Sequence, residues 1–259
     1  MTSDHTELYE FDLFGAAVAV SDRYALVGAP GSVFEGSWGG GGATVGRAYL
    51  FDVETGERLL KFEPNDLSPG SLFGCKVALS DKYALIGASR DHVKGLNSGS
   101  AYLFDLVTGQ QVYKFTPDND SERSYFGSSV ALSQSQVLIG AVEPLNFQNE
   151  TIGHAYLFDL ETKEQLYKFS ANTDAGYSSF GCSVALSNDS ALIGAAREDL
   201  NVERHSGSVY HYSLVSPEAG VSQEVLLSQS EIVEGNEIGS IVGSLSFCLL
   251  YTSPSPRDA

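Results

Sequence analysis

Chemistry in this chain would have to come from five histidines, three cysteines, one tryptophan and a set of loop arginines, and their spacing assembles no catalytic group. His92 and His205 fall in loops and His154 and His211 in apolar, strand-like stretches. No His-x-x-x-His, Cys-x-x-Cys or Gly-x-Ser-x-Gly spacing occurs, so neither a metal pair, a redox dithiol nor a nucleophile elbow is signalled. The expectation is no catalytic residue, no metal and no cofactor. Recognition chemistry is better represented. Trp38, Arg90, Asp91, His92, Phe147, Arg197, Asp199, Arg204 and His205 lie in long polar connections, and aromatic and arginine side chains dominate interface hot spots. Gly39–Gly42 follows Trp38, and such a run gives that ring a flexible mounting. Three Asn-x-Ser/Thr sequons, at Asn119, Asn149 and Asn188, are glycan acceptor candidates.

The elements that would carry these residues are repeated. Phe-Gly occurs at Phe14-Gly15, Phe73-Gly74, Phe126-Gly127 and Phe180-Gly181, and a Gly-Ala pair begins 14 positions after each phenylalanine, at Gly28, Gly87, Gly140 and Gly194. One unit reads Phe73–Ser80, Tyr83–Ala88, Ser100–Asp105 and Gln111–Phe115. These stretches are short, aromatic and β-branched, and bounded by Gly, Asp, Asn and Ser, which predicts strands and turns. Thr-Gly at 55–56 and 108–109, and Thr162-Lys163, predict a hairpin between the last two. Ala101-Tyr-Leu-Phe104 is apolar on both faces, as a sheet covered on both sides requires. Four strands per unit of about 50 residues predict an all-β fold, a β-propeller of four-stranded antiparallel blades with four blades visible. Glu7–Phe11 matches the fourth-strand stretch Gln165–Phe169, and the last unit shows no such stretch. Two readings stand: the N-terminal strand closes the last blade, or the chain is a piece of a larger propeller.

Composition sets limits. The charge of −18 opposes nucleic acid and anionic membrane as partners. No apolar run reaches the ~18 residues of a membrane span. The first residues lack the basic flank and apolar core of a secretory leader. Three cysteines are too few for a disulfide framework. Cys75 and Cys182 occupy the same repeat position two units apart, and are expected to be small fillers.

On the Phe-Gly, Val-Ala-Leu and Gly-Ala signatures at this spacing, residues 7–215 resemble the FG-GAP repeat, the blade of the integrin α-subunit head. The resemblance implies a propeller with a ligand-binding loop face. Integrin-type blades hold calcium in an Asp-x-Asp/Asn-x-Asp-Gly loop between the first two strands. Here that loop is Ser21-Asp22-Arg23, Ser80-Asp81-Lys82, Ser133-Gln134-Ser135 or Ser187-Asn188-Asp189, too tight for the ~6–8 oxygens calcium takes. Asp118-Asn119-Asp120 lacks the glycine and closing glutamate of such a loop. Residues 216–224 read as a linker. Residues 225–247 resemble the first two strands of a cadherin-like domain, with Glu234 at its calcium-binding glutamate but without the partner aspartates. Residues 248–259 fit neither and resemble translated sequencing-adapter read-through, so the natural protein is expected to continue past Phe247.

The expected function is a non-catalytic recognition or adhesion module, extracellular or at the cell surface, that binds protein or carbohydrate through the long loops. Two alternatives are a purely structural scaffold and a quinone-dependent dehydrogenase. Ala-Tyr-Leu-Phe-Asp-x-x-Thr-Gly also resembles the repeat of the latter, but Phe62, Phe115 and Phe169 stand where it carries docking tryptophans.

Overall fold

A computed structural model describes residues 12–31, 45–117, 123–142, 153–171, 178–196 and 207–214. All regular structure among them is β. Blade 1 contains β1 (Ala17–Val20), β2 (Tyr24–Ala29), β3 (Arg47–Asp52) and β4 (Arg58–Phe62). Blade 2 contains β5 (Phe73–Leu79), β6 (Tyr83–Ala88), β7 (Ser100–Asp105) and β8 (Gln111–Phe115). Blade 3 contains β9 (Phe126–Leu132), β10 (Gln136–Ala141), β11 (His154–Asp159) and β12 (Gln165–Ser170). Blade 4 contains β13 (Phe180–Leu186), β14 (Ser190–Ala195) and β15 (Ser208–Ser213). Each sheet is an antiparallel meander in chain order. This is the expected propeller of small sheets.

The middle strands of blades 2 and 3 are apolar on both faces because each of these sheets lies between two others. Leu26, Leu50 and Phe62 of blade 1 meet Phe73, Ile86 and Phe104 of blade 2 in one buried cluster. Leu85, Leu103 and Phe115 meet Phe126, Ile139 and Phe158 in a second. Leu138 and Leu157 meet Phe180, Ile193 and Tyr210 in a third. The fourth-strand phenylalanines stitch these seams: the Phe62 and Phe104 ring centroids are 4.8 Å apart, as are those of Phe115 and Phe158, and Phe169 is 4.3 Å from Tyr212. Each fully buried Leu or Phe contributes about 1.5–3 kcal/mol, so the seams hold the blades together.

The two recurrent glycines serve the same seams. Gly74 has φ +92, within the left-handed region that favours glycine, and lets β5 bulge where its register with β6 jumps from Phe73 to Lys76. A Cβ on Gly28 would run into the carbonyl oxygen of Gly74 in the next blade, and one on Gly74 would run into that of Arg47 in the previous blade. The pairs Gly87–Gly127 and Gly140–Gly181 repeat the first of these contacts. The Phe-Gly to Gly-Ala interval thus sets two contact points on opposite faces of one sheet.

Among the described residues no buried cluster joins blade 4 to blade 1. The closing strand expected at Glu7–Phe11, the linker at 216–224, the cadherin-like stretch at 225–247 and the tail at 248–259 lie outside the described residues. No helix among the described residues is long and apolar enough to cross a membrane.

Candidate functional site

The connections fall on two faces that differ in kind. On one, each first-to-second-strand turn closes on a serine: the Ser21, Ser80 and Ser133 hydroxyls accept the N–H of Tyr24, Tyr83 and Gln136 at 3.1 Å, and Ser187 accepts that of Ser190 at 3.0 Å. These turns lie against the third-to-fourth hairpins, where the N–H of Val53, Leu106 and Leu160 donates to Arg23, Lys82 and Ser135 carbonyls. In those hairpins Asp52, Asp105 and Asp159 accept the N–H of Thr55, Thr108 and Thr162 at 2.9, 2.8 and 2.7 Å. The threonine N–H bond, aided by a second N–H, holds all three carboxyls below their usual range. Such short, internally bonded turns leave little surface free to vary. Among the described residues, no three His, Cys, Asp or Glu side chains stand together as metal ligands.

The opposite face carries the long connections, and the structure brings two of them together around Asp91. Asp91 is 1% exposed. Its Oδ1 accepts the Ser68 hydroxyl at 2.8 Å and the Ser68 N–H at 3.2 Å. Its Oδ2 accepts the hydroxyls of Ser100 at 2.8 Å and Tyr102 at 3.0 Å, with Lys114 Nζ at 3.0 Å. Lys114 also reaches Asp66 at 2.8 Å and lies over the Tyr102 ring. Burial opposes the Asp91 charge, but hydrogen bonds from Ser100, Lys114 and Ser68 and the Lys114 charge outweigh it and hold the carboxyl below its usual range. Burial, with the Asp91 charge beside it, pushes the Tyr102 phenol up. Asp91 therefore acts beneath the surface, tying loop 89–99 to loop 63–72; beside it Arg90 is half-buried, with its Nε buried, and His92 is exposed.

Loop 89–99 is also fixed to blade 3. The N–H groups of Arg123 and Tyr125 donate to the carbonyls of Leu96 and Asn97 at 2.7 and 3.0 Å, and the Ser124 hydroxyl to that of Ser98 at 2.6 Å. His92 Nε2 lies 3.2 Å from Asn97 Oδ1, and Asn97 Nδ2 donates to the Tyr125 hydroxyl at 3.3 Å. Arg90, His92 and Lys94 lie on this loop, and Arg123 on the connection that is bonded to it.

The β3-type strands begin at this face with a variable residue. Arg47 pairs with Asp12 at 3.4 Å, Ser100 bonds Asp91, and His154 Nδ1 lies 2.8 Å from the Ser170 hydroxyl. Burial, then the nearby Lys168 charge, lowers the His154 pKa. Trp38, Phe147, Arg197, Asp199, Arg204, His205, Asn119 and Asn149 lie outside the described residues. Asn188 is exposed on the turn face, its Oδ1 accepting the Gln134 N–H of the neighbouring blade at 3.4 Å. Cys75 and Cys182 are free thiols, and burial pushes that of Cys75 up. Ser68, Ser100, Tyr102 and Lys114 escaped the sequence reading. The recurrence of Lys61, Lys114 and Lys168 within apolar fourth strands was the available signal.

Comparison with protein families matches residues 59–104, 110–158 and 164–212, more than half the chain, to the FG-GAP repeat. The chain belongs to the FG-GAP repeat family. Each matched span begins in or just before the fourth strand of one blade and runs through three strands of the next, so the FG-GAP unit straddles a seam. Blade 1 lies outside the matches except for most of β4, yet it repeats the FG-GAP pattern in its four strands. FG-GAP repeats are usual in extracellular and cell-surface proteins, and typify integrin-like, non-enzymatic recognition modules. A comparison with curated proteins returns no match.

Proposed function

We propose that this FG-GAP chain is a non-catalytic recognition module of an extracellular or cell-surface protein, binding a protein or carbohydrate ligand through its long-loop face. The observation that supports the reading is the contrast between the two faces. One is closed by near-identical serine and aspartate turns, whereas on the other a long loop is held in place by the buried Asp91, with the exposed His92 and the half-buried Arg90 beside it. Divergent loops on a rigid scaffold are where binding concentrates, and fixing a loop in advance lowers the entropy lost on association. Arg197, Arg204 and His205 belong to the equivalent connection of blade 4 and join the same surface in this reading, with glycans at Asn119 or Asn149 beside it. A cadherin-like continuation at 225–247 fits the adhesive context.

The test is a screen of the labelled chain against extracellular-matrix proteins and a glycan array, followed by titration of the best binder. Charge reversal at Arg90, Arg197 and Arg204 together should weaken that binder at least about tenfold, or about 1.4 kcal/mol. Reversal at Arg23 and Lys82 on the turn face should leave it within about twofold. The opposite ranking would move the ligand to the turn face and refute the proposal.

A further inference from the structure

Arg90 stands on the long-loop face with its charge unmet. The residue is half-buried and its Nε is out of water, yet its guanidinium makes no hydrogen bond, ion pair or ring contact among the described residues. The other half-buried arginine among them, Arg47, lies 3.4 Å from both Asp12 and Glu63. Arg90 donates its main-chain N–H to the Ser71 carbonyl at 3.0 Å, and the Ser71 hydroxyl, on a residue 0% exposed, also has no partner. Two unmet polar side chains thus lie one main-chain bond apart. Buried polar groups are rarely left so, and a charged one is the costliest to leave.

Blade 1 shows what is missing. Gly31 donates its N–H to the Asp12 carbonyl at 3.1 Å, the bond that Arg90 makes to Ser71, and each acceptor stands two residues before its Phe-Gly pair. Blade 1 therefore has a carboxylate at this place, engaged by an arginine. Blade 2 has a serine there and an arginine beside it. Asp91, next in the chain, gives its oxygens to Ser68, Ser100, Tyr102 and Lys114. What blade 2 lacks is an anionic acceptor.

We propose that Arg90 takes a carboxylate from the ligand, an Asp or Glu side chain of a protein segment, with the adjoining Ser71 hydroxyl as a second donor. This rests on the loop-face reading above and names the chemistry of its ligand. An arginine fork meets a carboxylate with two parallel bonds, and no existing bond of the guanidinium has to break for it to turn toward one. Its surroundings favour protein over sugar. Val93 and Leu96 of the same loop are 39% and 47% exposed and suit an aliphatic side chain beside the acidic one. No Trp, Tyr or Phe side chain is exposed in residues 89–99 or 123–125, whereas a sugar ring calls for a flat aromatic face. The charge of −18 repels polyanions, so the fitting partner has isolated carboxylates among apolar residues.

The test uses the full 259-residue chain and synthetic peptides. Short peptides of Leu, Ser and a single Asp or Glu are titrated beside twins that carry Asn or Gln, with sialylated and uronic-acid oligosaccharides as a separate arm. Nuclear magnetic resonance follows the Arg90 Nε–H signal, assigned by its loss in Arg90→Gln. The acidic peptides should shift that signal saturably and bind at least about tenfold tighter than their amide twins. Arg90→Lys keeps the charge but not the fork, and should weaken them at least about fivefold. Ser71→Ala should weaken them about threefold with its melting temperature unchanged or higher, since no bond within the protein is lost. Lys82→Gln, on the turn face, should change nothing. Equal binding of acidic and amide peptides overturns the proposal, as does binding that survives Arg90→Gln, or a signal moved more by the oligosaccharides than by the peptides. The loop-face reading fails separately. A screened protein ligand that is weakened by reversal at Arg197 and Arg204 but indifferent to Arg90→Gln keeps that reading and removes this site. Arg90-dependent peptide binding beside a screened ligand on the turn face does the reverse.

Discussion

Phe73 and Phe14 open the same sequence unit, yet Phe73 is 0% exposed within a seam whereas Phe14 is half-buried on the first blade's leading face. Phe73 opens β5 and pairs with Ala88 of β6, whereas Phe14 precedes β1, whose pairing with β2 begins at Ala17. Among the described residues, Phe73 also has a blade behind it and Phe14 has none. A residue's weight in this fold is therefore set by the neighbouring unit more than by its own sheet, the nearest-neighbour behaviour of stacked repeats. Substitution at matched positions measures it directly. Phe73→Ala should cost about 3–5 kcal/mol of unfolding free energy, and Phe14→Ala less than half of that. Denaturant midpoints at constant slope read the difference. Equal losses would show that the seam is not where the phenylalanines act.

Gly87→Ala and Gly194→Ala sharpen the same comparison. At Gly87 the added methyl meets the Gly127 backbone of the next blade, and no side chain can move aside. We expect a loss of about 3 kcal/mol, the upper part of the usual range for overpacking. At Gly194 the obstacle is the Ser183 hydroxyl, which can change rotamer, so the single chain should lose less than about 1 kcal/mol.

Acid provides a third contrast, between a buried tie and the surface turns. Asp91 has a depressed pKa in the folded chain, as do Asp52, Asp105 and Asp159. A carboxyl whose folded pKa is depressed adds stability that is present above its unfolded pKa, near ~3.9, and is lost as pH falls through the folded value. Thermal stability should therefore be flat near neutrality and fall below about pH 4. Asp91→Asn should lower stability at pH 7 by about 2 kcal/mol, the scale of hydrogen bonds to a charged group, and make the acid limb shallower. The three turn aspartates are in water and should matter less to that limb. A variant with an unchanged acid limb would remove Asp91 from this account.

These comparisons also mark what could be read from the residues. Strand positions and blade number followed from the Phe-Gly to Gly-Ala interval and from the Tyr-Leu-Phe stretches, because a strand buried on both faces writes its environment into every consecutive residue. The purpose of the two glycines did not follow. Their spacing is within one blade, whereas their contacts are with the blades before and after. The sequence sets Asp91 among the recognition residues of a polar loop, whereas it is buried, since loops have no period that distinguishes a buried member. Its partners Ser68 and Lys114 lie 23 residues away on either side. Only the meander of the sheets brings them together.

The smallest expected effect concerns the hairpin between third and fourth strands, and asks whether a seam contact can offset a strained backbone. Gly56, Gly109 and Lys163 occupy the same place with φ of +72, +67 and +67. Their N–H groups donate to the carbonyls of Asp52, Asp105 and Asp159 at 2.9, 2.9 and 3.0 Å. The turn is thus unchanged in blade 3, although a left-handed L-residue costs about 1 kcal/mol. Lys163 has compensation: its Nζ donates to the Leu160 carbonyl and lies 5.8 Å from the Tyr83 ring centroid in blade 2. An exposed cation–π contact is worth about 0.5–1 kcal/mol, and glycine adds unfolded-state entropy. Lys163→Gly should therefore change stability by no more than about 0.5 kcal/mol. Lys163→Ala keeps the strain and loses both contacts, and should fall about 1 kcal/mol below the parent. If the alanine variant instead melts with the parent, Lys163 does nothing across the seam, and the turn alone fixes its conformation.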